Sequence, residues 1–333
     1  MEDRKILILN TGGTLSSVMK HTGLAPGLRT ADIQKELRMV AQGVDLTLMD
    51  VMSRDSANIF PEDWAFLAEK IGSLWEDYDG IVVIHGTDTL AYTSSMLSYM
   101  LQNIPIPVVL TGSQLSMQNP VADAMENCRC AIHFAASGCP GVYVAFNRKV
   151  MLGCRTSKVR SLSFDAFDSI GVPEVAKISS LGMEIREDMI PKRTDIFHLE
   201  NHYSDRVFLL KMFPGIHRSI LKSLQQAGYE GLYIEAFGIG GMPFLQHDFI
   251  SAIGELIEGG MTVLVGTQVR YEGSNLSVYE TGRRALEAGV LEARDMTSEA
   301  ALTKLMWVLG RTKDRRKIRE YFSVSLCGEV TLR

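Results

Sequence analysis

Gly80-Ile-Val-Val-Ile84, followed at once by His85-Gly-Thr-Asp-Thr89, decides the fold class of this chain. Five apolar, mostly β-branched residues are too short a run for a helix and suit a strand buried on both faces. The polar, glycine-containing turn behind them opens a helix near Asp88. The same grammar repeats on either side. Upstream, residues 5–9 and 46–52 read as strands, with a helix between them over 31–42 that Thr30 caps and Gly43 stops. Pro61 opens a further helix to about Glu76. Downstream, 108–110 and 142–146 are strands, and Asn119-Pro120 opens a helix that Gly138 closes. Strands alternating with helices predict an α/β protein built on parallel sheet.

Residues 186–205 are polar, include Pro191 and keep neither a two-residue nor a 3.6-residue period, which suits a linker. Beyond them strands recur at 207–212, 231–236 and 261–265, with helices near 219–227, 248–258, 282–288 and 297–309. The chain therefore reads as two domains: a larger N-terminal parallel-sheet domain over 1–190, a linker over 191–206 and a smaller α/β domain over 207–333.

Composition narrows the function classes. With 333 residues, 46% of them apolar and 22% charged, the chain is an ordinary globular protein, and disorder, collagen and coiled coil are excluded. A net charge of −5 without a basic run gives nucleic acid nothing to bind. Five cysteines in so long a chain are no disulfide framework, which points to the cytoplasm. No apolar stretch approaches the ~18 residues of a membrane span or the core of a signal peptide. The expected partner is a small molecule.

In open parallel sheets ligands bind beyond the carboxyl ends of the strands. There the chain places Asn10-Thr-Gly-Gly-Thr14, Asp55-Ser56-Ala57-Asn58, His85-Gly86-Thr87-Asp88-Thr89 and Thr111-Gly-Ser113-Gln114. Any one of these is ordinary turn chemistry; four on one edge point to a site. The common motifs are missing. Gly238-Ile-Gly240-Gly241 is followed by Met242-Pro243 and makes no dinucleotide fingerprint, and there is no P-loop, zincin or serine-elbow sequence. His198 and His202 have metal-ligand spacing but no third ligand nearby, and Cys128-Arg-Cys130 lacks a second pair, so neither metal nor cofactor is expected. What remains is a hydroxyl nucleophile without a histidine base, for which a lysine of altered basicity is the alternative proton acceptor. Lys158, in Gly153-Cys-Arg-Thr-Ser-Lys158, is that candidate, against the plainer reading of a solvated basic loop; the plainer reading of Asp88 is a helix cap.

Thr11-Gly-Gly-Thr14-Leu, Asp55-Ser-x-Asn58, His85-Gly-Thr-Asp-Thr-Leu-Ala-Tyr-Thr93, Thr111-Gly-Ser-Gln114, Arg155-Thr-Ser-Lys158, Phe164-Asp-Ala-Phe167 and Asp295-Met-Thr-x-Glu-Ala-x-Leu-Thr-Lys304 occur in this order. Together they closely resemble the bacterial-type L-asparaginase family, in particular its cytosolic type I branch. The resemblance implies hydrolysis of L-asparagine to L-aspartate and ammonia by a homodimer or homotetramer. Carried over by position, Thr14 is the nucleophile, and Thr87, Asp88 and Lys158 form a second hydroxyl–carboxylate–lysine set. Asp55, Ser56, Ala57, Gly86, Thr87, Asp88 and Ser113 would surround the substrate, with Ser56 and Asp88 on its α-carboxylate and α-ammonium. Many relatives carry tyrosine in the loop after the nucleophile where this chain has Leu24, so a lid over residues 16–27 would shield the acyl intermediate without donating a proton. Asn58 likewise stands where many relatives have aspartate. A shifted amide substrate such as glutamine, or a non-catalytic amino-acid-binding homologue, are the alternatives.

Overall fold

The computed structural model describes residues 4–13, 15, 17–20, 23–26, 30–41 and 43–332, and the chain divides into units at Met1–Asn201 and His202–Arg333. The first unit opens with β1 (Arg4–Gly12), a short hairpin of β2 (Ser17–Lys20) and β3 (Gly23–Pro26), α1 (Thr30–Val40) and β4 (Val44–Arg54). It continues with α2 (Pro61–Leu74), β5 (Gly80–Ile84), α3 (Leu90–Met100), β6 (Pro107–Thr111), α4 (Ala124–Ala135) and β7 (Gly141–Phe146). Five short strands follow: β8 (Lys149–Leu152), β9 (Thr156–Lys158), β10 (Phe167–Ser169), β11 (Ala176–Ser179) and β12 (Gly182–Ile185).

Eight of these strands form one sheet in the order β12-β11-β8-β7-β6-β5-β1-β4. β4, β1, β5, β6 and β7 are parallel, and every residue of β5 and β6 is buried, as two-sided apolar runs require. The chain leaves β1 for β4 on one side and returns to β5 on the other. The strand order therefore reverses between β1 and β5, which makes their carboxyl ends the switch point at which such sheets bind ligands. Register sharpens this. Asn10 lies opposite Ile84, and Ile84 opposite Thr111, so the turns that begin with Thr11, His85 and Gly112 leave the sheet at one level.

One expectation is corrected. The helix expected to open at Asn119-Pro120 begins at Ala124. The Asn119 side chain instead accepts from the Val121 amide, and its carbonyl accepts from Ala122, which holds the residues before the helix in turns. The parallel core is as expected, and at its far side β8, β11 and β12 extend it antiparallel. The reversal after β7 uses Asn147 and Arg148 at φ 49° and 62°, the positive pair of a tight hairpin, at a sequence that lacks the usual Asn-Gly signal.

Residues 190–201, part of the expected linker, form no regular element but are fastened along the first unit. Thr194 donates its amide to Asn103 Oδ1 at 2.9 Å, Glu200 to the Met100 carbonyl at 3.0 Å, and Phe197 stacks edge-on against Trp75.

The second unit contains β13 (Val207–Lys211), α5 (Ser219–Gln226), β14 (Gly231–Ala236), α6 (Phe249–Glu258), β15 (Thr262–Thr267), α7 (Glu280–Glu287), β16 (Leu291–Glu292), α8 (Ser298–Arg311) and α9 (Arg315–Ser323). Its four strands are parallel and lie in chain order. Asp248, Thr297 and Asp314 cap α6, α8 and α9 by accepting amide protons from their first turns. Leu232, Ile234, Phe249, Ile253 and Val265 are among the residues of its core. No helix among the described residues is long and apolar enough to cross a membrane.

Candidate active site

The turns at the switch point approach one another more closely than side chains would allow. Gly13, at φ +81°, lies so near that a Cβ on it would stand 2.6 Å from Gly86 Cα, and a Cβ on Gly86 would stand 2.6 Å from Ser56 Oγ. Glycine at these two positions lets the β1 and β5 turns meet backbone to backbone and the Ser56 side chain of the β4 turn seat against Gly86. Thr11 Oγ1 donates to the Ile84 carbonyl at 2.9 Å and joins the ends of β1 and β5. Asp55 folds the turn after β4 by accepting from the Ala57 amide, and the buried Ser56 then reaches the β5 turn. There the Asp88 amide donates to Ser56 Oγ at 3.3 Å, and Thr89 Oγ1 donates to the Ser56 carbonyl at 2.7 Å.

Beneath the turn, His85 is sealed. Its Nδ1 lies 2.7 Å from the Gly86 carbonyl, which can only accept, so Nδ1 carries the proton and Nε2 accepts from Thr93 Oγ1 at 3.0 Å. Trp64 Nε1 in turn donates to Thr93 Oγ1 at 2.9 Å. Burial pulls the His85 pKa down to about 4, although the Gly86 carbonyl and the Asp63 charge work against it. This neutral relay ties α2 and α3 to the Gly86 backbone.

Lys158 enters from the other side. It ends β9, opposite Phe167 of β10, and the short 3-10 turn before that strand, Gly153–Arg155, is held to α3 by Ser94 Oγ, which donates to the Gly153 carbonyl. Lys158 Nζ donates to Thr87 Oγ1 at 2.8 Å and to Asp88 Oδ1 at 2.7 Å. The reading of Lys158 as a residue of a solvated loop is therefore set aside, since its side chain is only 19% exposed and engaged by two groups of one turn. Asp88 is not a cap either: α3 is preceded by Thr89, without a side-chain capping bond, and the Asp88 carboxylate faces Lys158.

The structure thus brings Ser56, Gly86, Thr87, Asp88 and Lys158 together, with Asp55 and Ala57 in the same turn as Ser56. Ser113, also buried, donates its hydroxyl to the Leu115 carbonyl at 2.6 Å. Thr14 lies outside the described residues; its neighbours Gly13 and Leu15 are buried. Of the expected lid, Ser16, His21, Thr22 and Gly27 also lie outside them, and Leu24 sits in β3 opposite Met19. Sequence reasoning missed Gln114, whose side chain meets Thr87, and the His85–Thr93–Trp64 relay. Gln114 stands in the hydroxyl-rich turn after β6, whereas nothing in the sequence links Trp64 to His85.

Cys128 and Cys130 lie two residues apart in α4 and so point to different sides of the helix, and burial pushes both thiols up to about 12 and leaves them protonated. Among the described residues no group of three His, Cys, Asp or Glu side chains is placed to share a metal ion.

Comparison with known proteins shows the family. Residues 5–191 match the family model for the asparaginase N-terminal domain, and residues 206–322 that for the glutaminase/asparaginase C-terminal domain. The chain is 41% identical to an L-asparaginase of Thermococcus kodakarensis over 98% of its own length and 99% of that protein, whose solved structure superposes with a TM-score of 0.92. L-asparaginase I of Vibrio cholerae superposes with a TM-score of 0.91 at 28% identity, covering 99% of each chain. The chain is also 36% identical to a component of the glutamyl-tRNA(Gln) amidotransferase of T. kodakarensis, over 98% of this chain and 76% of that one. With both family domains matched in order and over nearly the whole length, the chain belongs to the asparaginase family of amidohydrolases.

Proposed function

We propose that the chain is an L-asparaginase that hydrolyses L-asparagine to L-aspartate and ammonia through a threonyl ester. Thr14 Oγ bonds to the side-chain amide carbon, the C–N bond breaks, and ammonia leaves with the proton that the hydroxyl gives up. Backbone N–H groups of the glycine-rich turns stabilise the oxyanion in between. Water then opens the ester; its oxygen joins the new carboxylate and a proton returns to Thr14. Thr87, Lys158 and Asp88 move and hold protons for these steps. Ser56 takes the substrate's α-carboxylate and Asp88 its α-ammonium, while Asp55, Ala57, Gly86 and Ser113 form the adjoining wall.

The observation that carries this reading is the meeting of Lys158 Nζ with both Thr87 Oγ1 and Asp88 Oδ1, within 2.8 Å, at the switch point of the sheet. A lysine beside a hydroxyl and a carboxylate is equipped to take and return protons where no histidine serves as base.

The test is ammonia release by the purified protein from asparagine and from glutamine, with and without a chelator. Turnover of asparagine, unchanged by the chelator and lost on the order of 10³-fold in Thr14→Ala, is the expected result. Faster turnover of glutamine would assign a glutaminase. Binding of aspartate without release of ammonia from either amide would assign a non-catalytic homologue and overturn the proposal.

A further inference from the structure

Gln114 links the Thr87 hydroxyl to the loop that follows Lys158. Thr87 Oγ1 donates to Gln114 Oε1 at 3.2 Å. The other end of the amide donates to two backbone carbonyls beyond Lys158, those of Ser161 and Ser163, each at 3.1 Å. A flipped amide would press its oxygen against both carbonyls, so its orientation is fixed and Oε1 has to face Thr87. The backbone of Gln114 is held as firmly. Its amide donates to both carboxylate oxygens of Asp123, at 3.0 and 3.1 Å. Asn127 of α4 then donates to Asp123 and to the Gly112 carbonyl.

We infer that Gln114 is a positioning residue that sets the direction of the Thr87 hydroxyl. A hydroxyl has one proton, and with that proton on Gln114 Oε1, Thr87 Oγ1 presents its lone pairs to Lys158 Nζ, 2.8 Å away, and to the cleft. Without the acceptor, the hydroxyl rotates, and its proton competes with the lysine's for the same space. Gln114 itself exchanges no proton, because a neutral amide is neither a useful acid nor a useful base. Its contribution belongs to the chemical step and not to the capture of substrate.

The inference rests on the reading of Thr87 and Lys158 as proton-handling groups, and the experiment keeps the two apart. Steady-state ammonia release is measured for the wild type, Gln114→Met, Gln114→Glu, Thr87→Val and Lys158→Met, with thermal melts as a folding control. Gln114→Met fills the space without an acceptor, and its kcat is expected to fall on the order of tenfold with KM within about twofold. Gln114→Glu keeps an oxygen toward Thr87 while its second oxygen replaces both donors and repels the loop carbonyls, a strain that the thermal melts report, and it is expected to retain at least several times more kcat than Gln114→Met. Equal losses in the two variants would show that Gln114 only tethers the loop, and undiminished kcat in Gln114→Met would show that it does nothing for Thr87; either result overturns the inference. If Gln114→Met destabilises the fold, Gln114→Ala against Gln114→Glu makes the same comparison. Should Thr87→Val and Lys158→Met keep their turnover, the reading of the site fails as well.

Discussion

Two lysine–carboxylate pairs, one in each unit, use the same chemistry for opposite ends. At the switch point Lys158 and Asp88 meet at 2.7 Å, with the lysine side chain 19% and the carboxylate 65% exposed. In the second unit Lys304 of α8 meets Glu329 at 2.5 Å, and both side chains are fully buried. The sealed pair is complete. Lys304 also donates to the Val324 carbonyl and lies 5.3 Å from the Phe322 ring centre, while Glu329 accepts from the amides of Leu326 and Cys327 and from Ser325 Oγ. Burial pushes the Glu329 pKa up, but the Lys304 charge and these hydrogen bonds outweigh it and hold the carboxyl below its usual range. The pair fastens residues 324–330 to α8. Asp88, in contrast, keeps most of its surface open to water. An ion pair left half-open can accept a further charged group, and one with every lone pair engaged cannot.

The largest expected effects separate the two pairs by readout. Lys158→Met and Asp88→Asn should each lower kcat on the order of 10³-fold or more and leave the melting temperature within a few degrees, because an open pair contributes ~1 kcal/mol or less to stability. The double variant should turn over little more slowly than the worse single, since the two groups act as one unit. Ammonia-release kinetics and thermal melts on the same preparations check this. A double loss equal to the product of the single losses would break the unit apart.

For the sealed pair the signs exchange. Glu329→Gln leaves a lysine charge buried without its counter-charge and should cost roughly 3–5 kcal/mol of stability. The protein that remains folded should keep its kcat. Lys304→Met combined with Glu329→Gln removes the stranded charge and should recover more than half of that loss, as read from denaturant midpoints. A double variant as unstable as Glu329→Gln alone would mean that the lysine's hydrogen bond to Val324 matters more than the ion pair.

The contrast between the pairs also shows what the sequence could reveal. Apolar runs of five residues, such as 80–84, announce buried parallel strands because both faces must avoid water, and the hydroxyl-rich turns behind them announce a site edge. The helix start near 120 escapes the sequence rule because Asn119-Pro120 satisfies it for a helix opening while the Asn119 side chain and backbone are engaged in turns. The antiparallel strands β11 and β12 carry exposed polar residues at a sheet edge, where burial imposes no apolar pattern. Within the site, Thr87, Asp88 and Lys158 are legible as residue types in their motifs. That Lys158 Nζ meets both of the others depends on contacts 70 and 71 residues apart in the chain, which no local pattern encodes. Lys304 and Glu329, 25 residues apart, are invisible as a pair for the same reason.

His85 extends the comparison to a group that is buried and carries no charge. Its folded pKa of about 4 lies below the value near 6.5 of an unfolded histidine, and the first cause is burial. Between these values the unfolded chain binds the proton and the folded one does not. His85 therefore contributes stability that is fully present above about pH 6.5 and is lost progressively as the pH falls toward 4, on the order of 3 kcal/mol in all. Glu329, with its pKa lowered, loses its contribution only further into the acid range, so the window from pH 6.5 to about 4.5 reports mainly on the histidine. His85→Asn retains a donor near the Gly86 carbonyl but has nothing to titrate. Denaturant midpoints of the two proteins at pH 7, 6, 5 and 4.5 should converge, the wild type falling and the variant remaining nearly flat. Parallel curves would show that His85 titrates normally in the folded protein, and that the hydrogen-bond chain from Trp64 through Thr93 does not hold a neutral ring beneath the site.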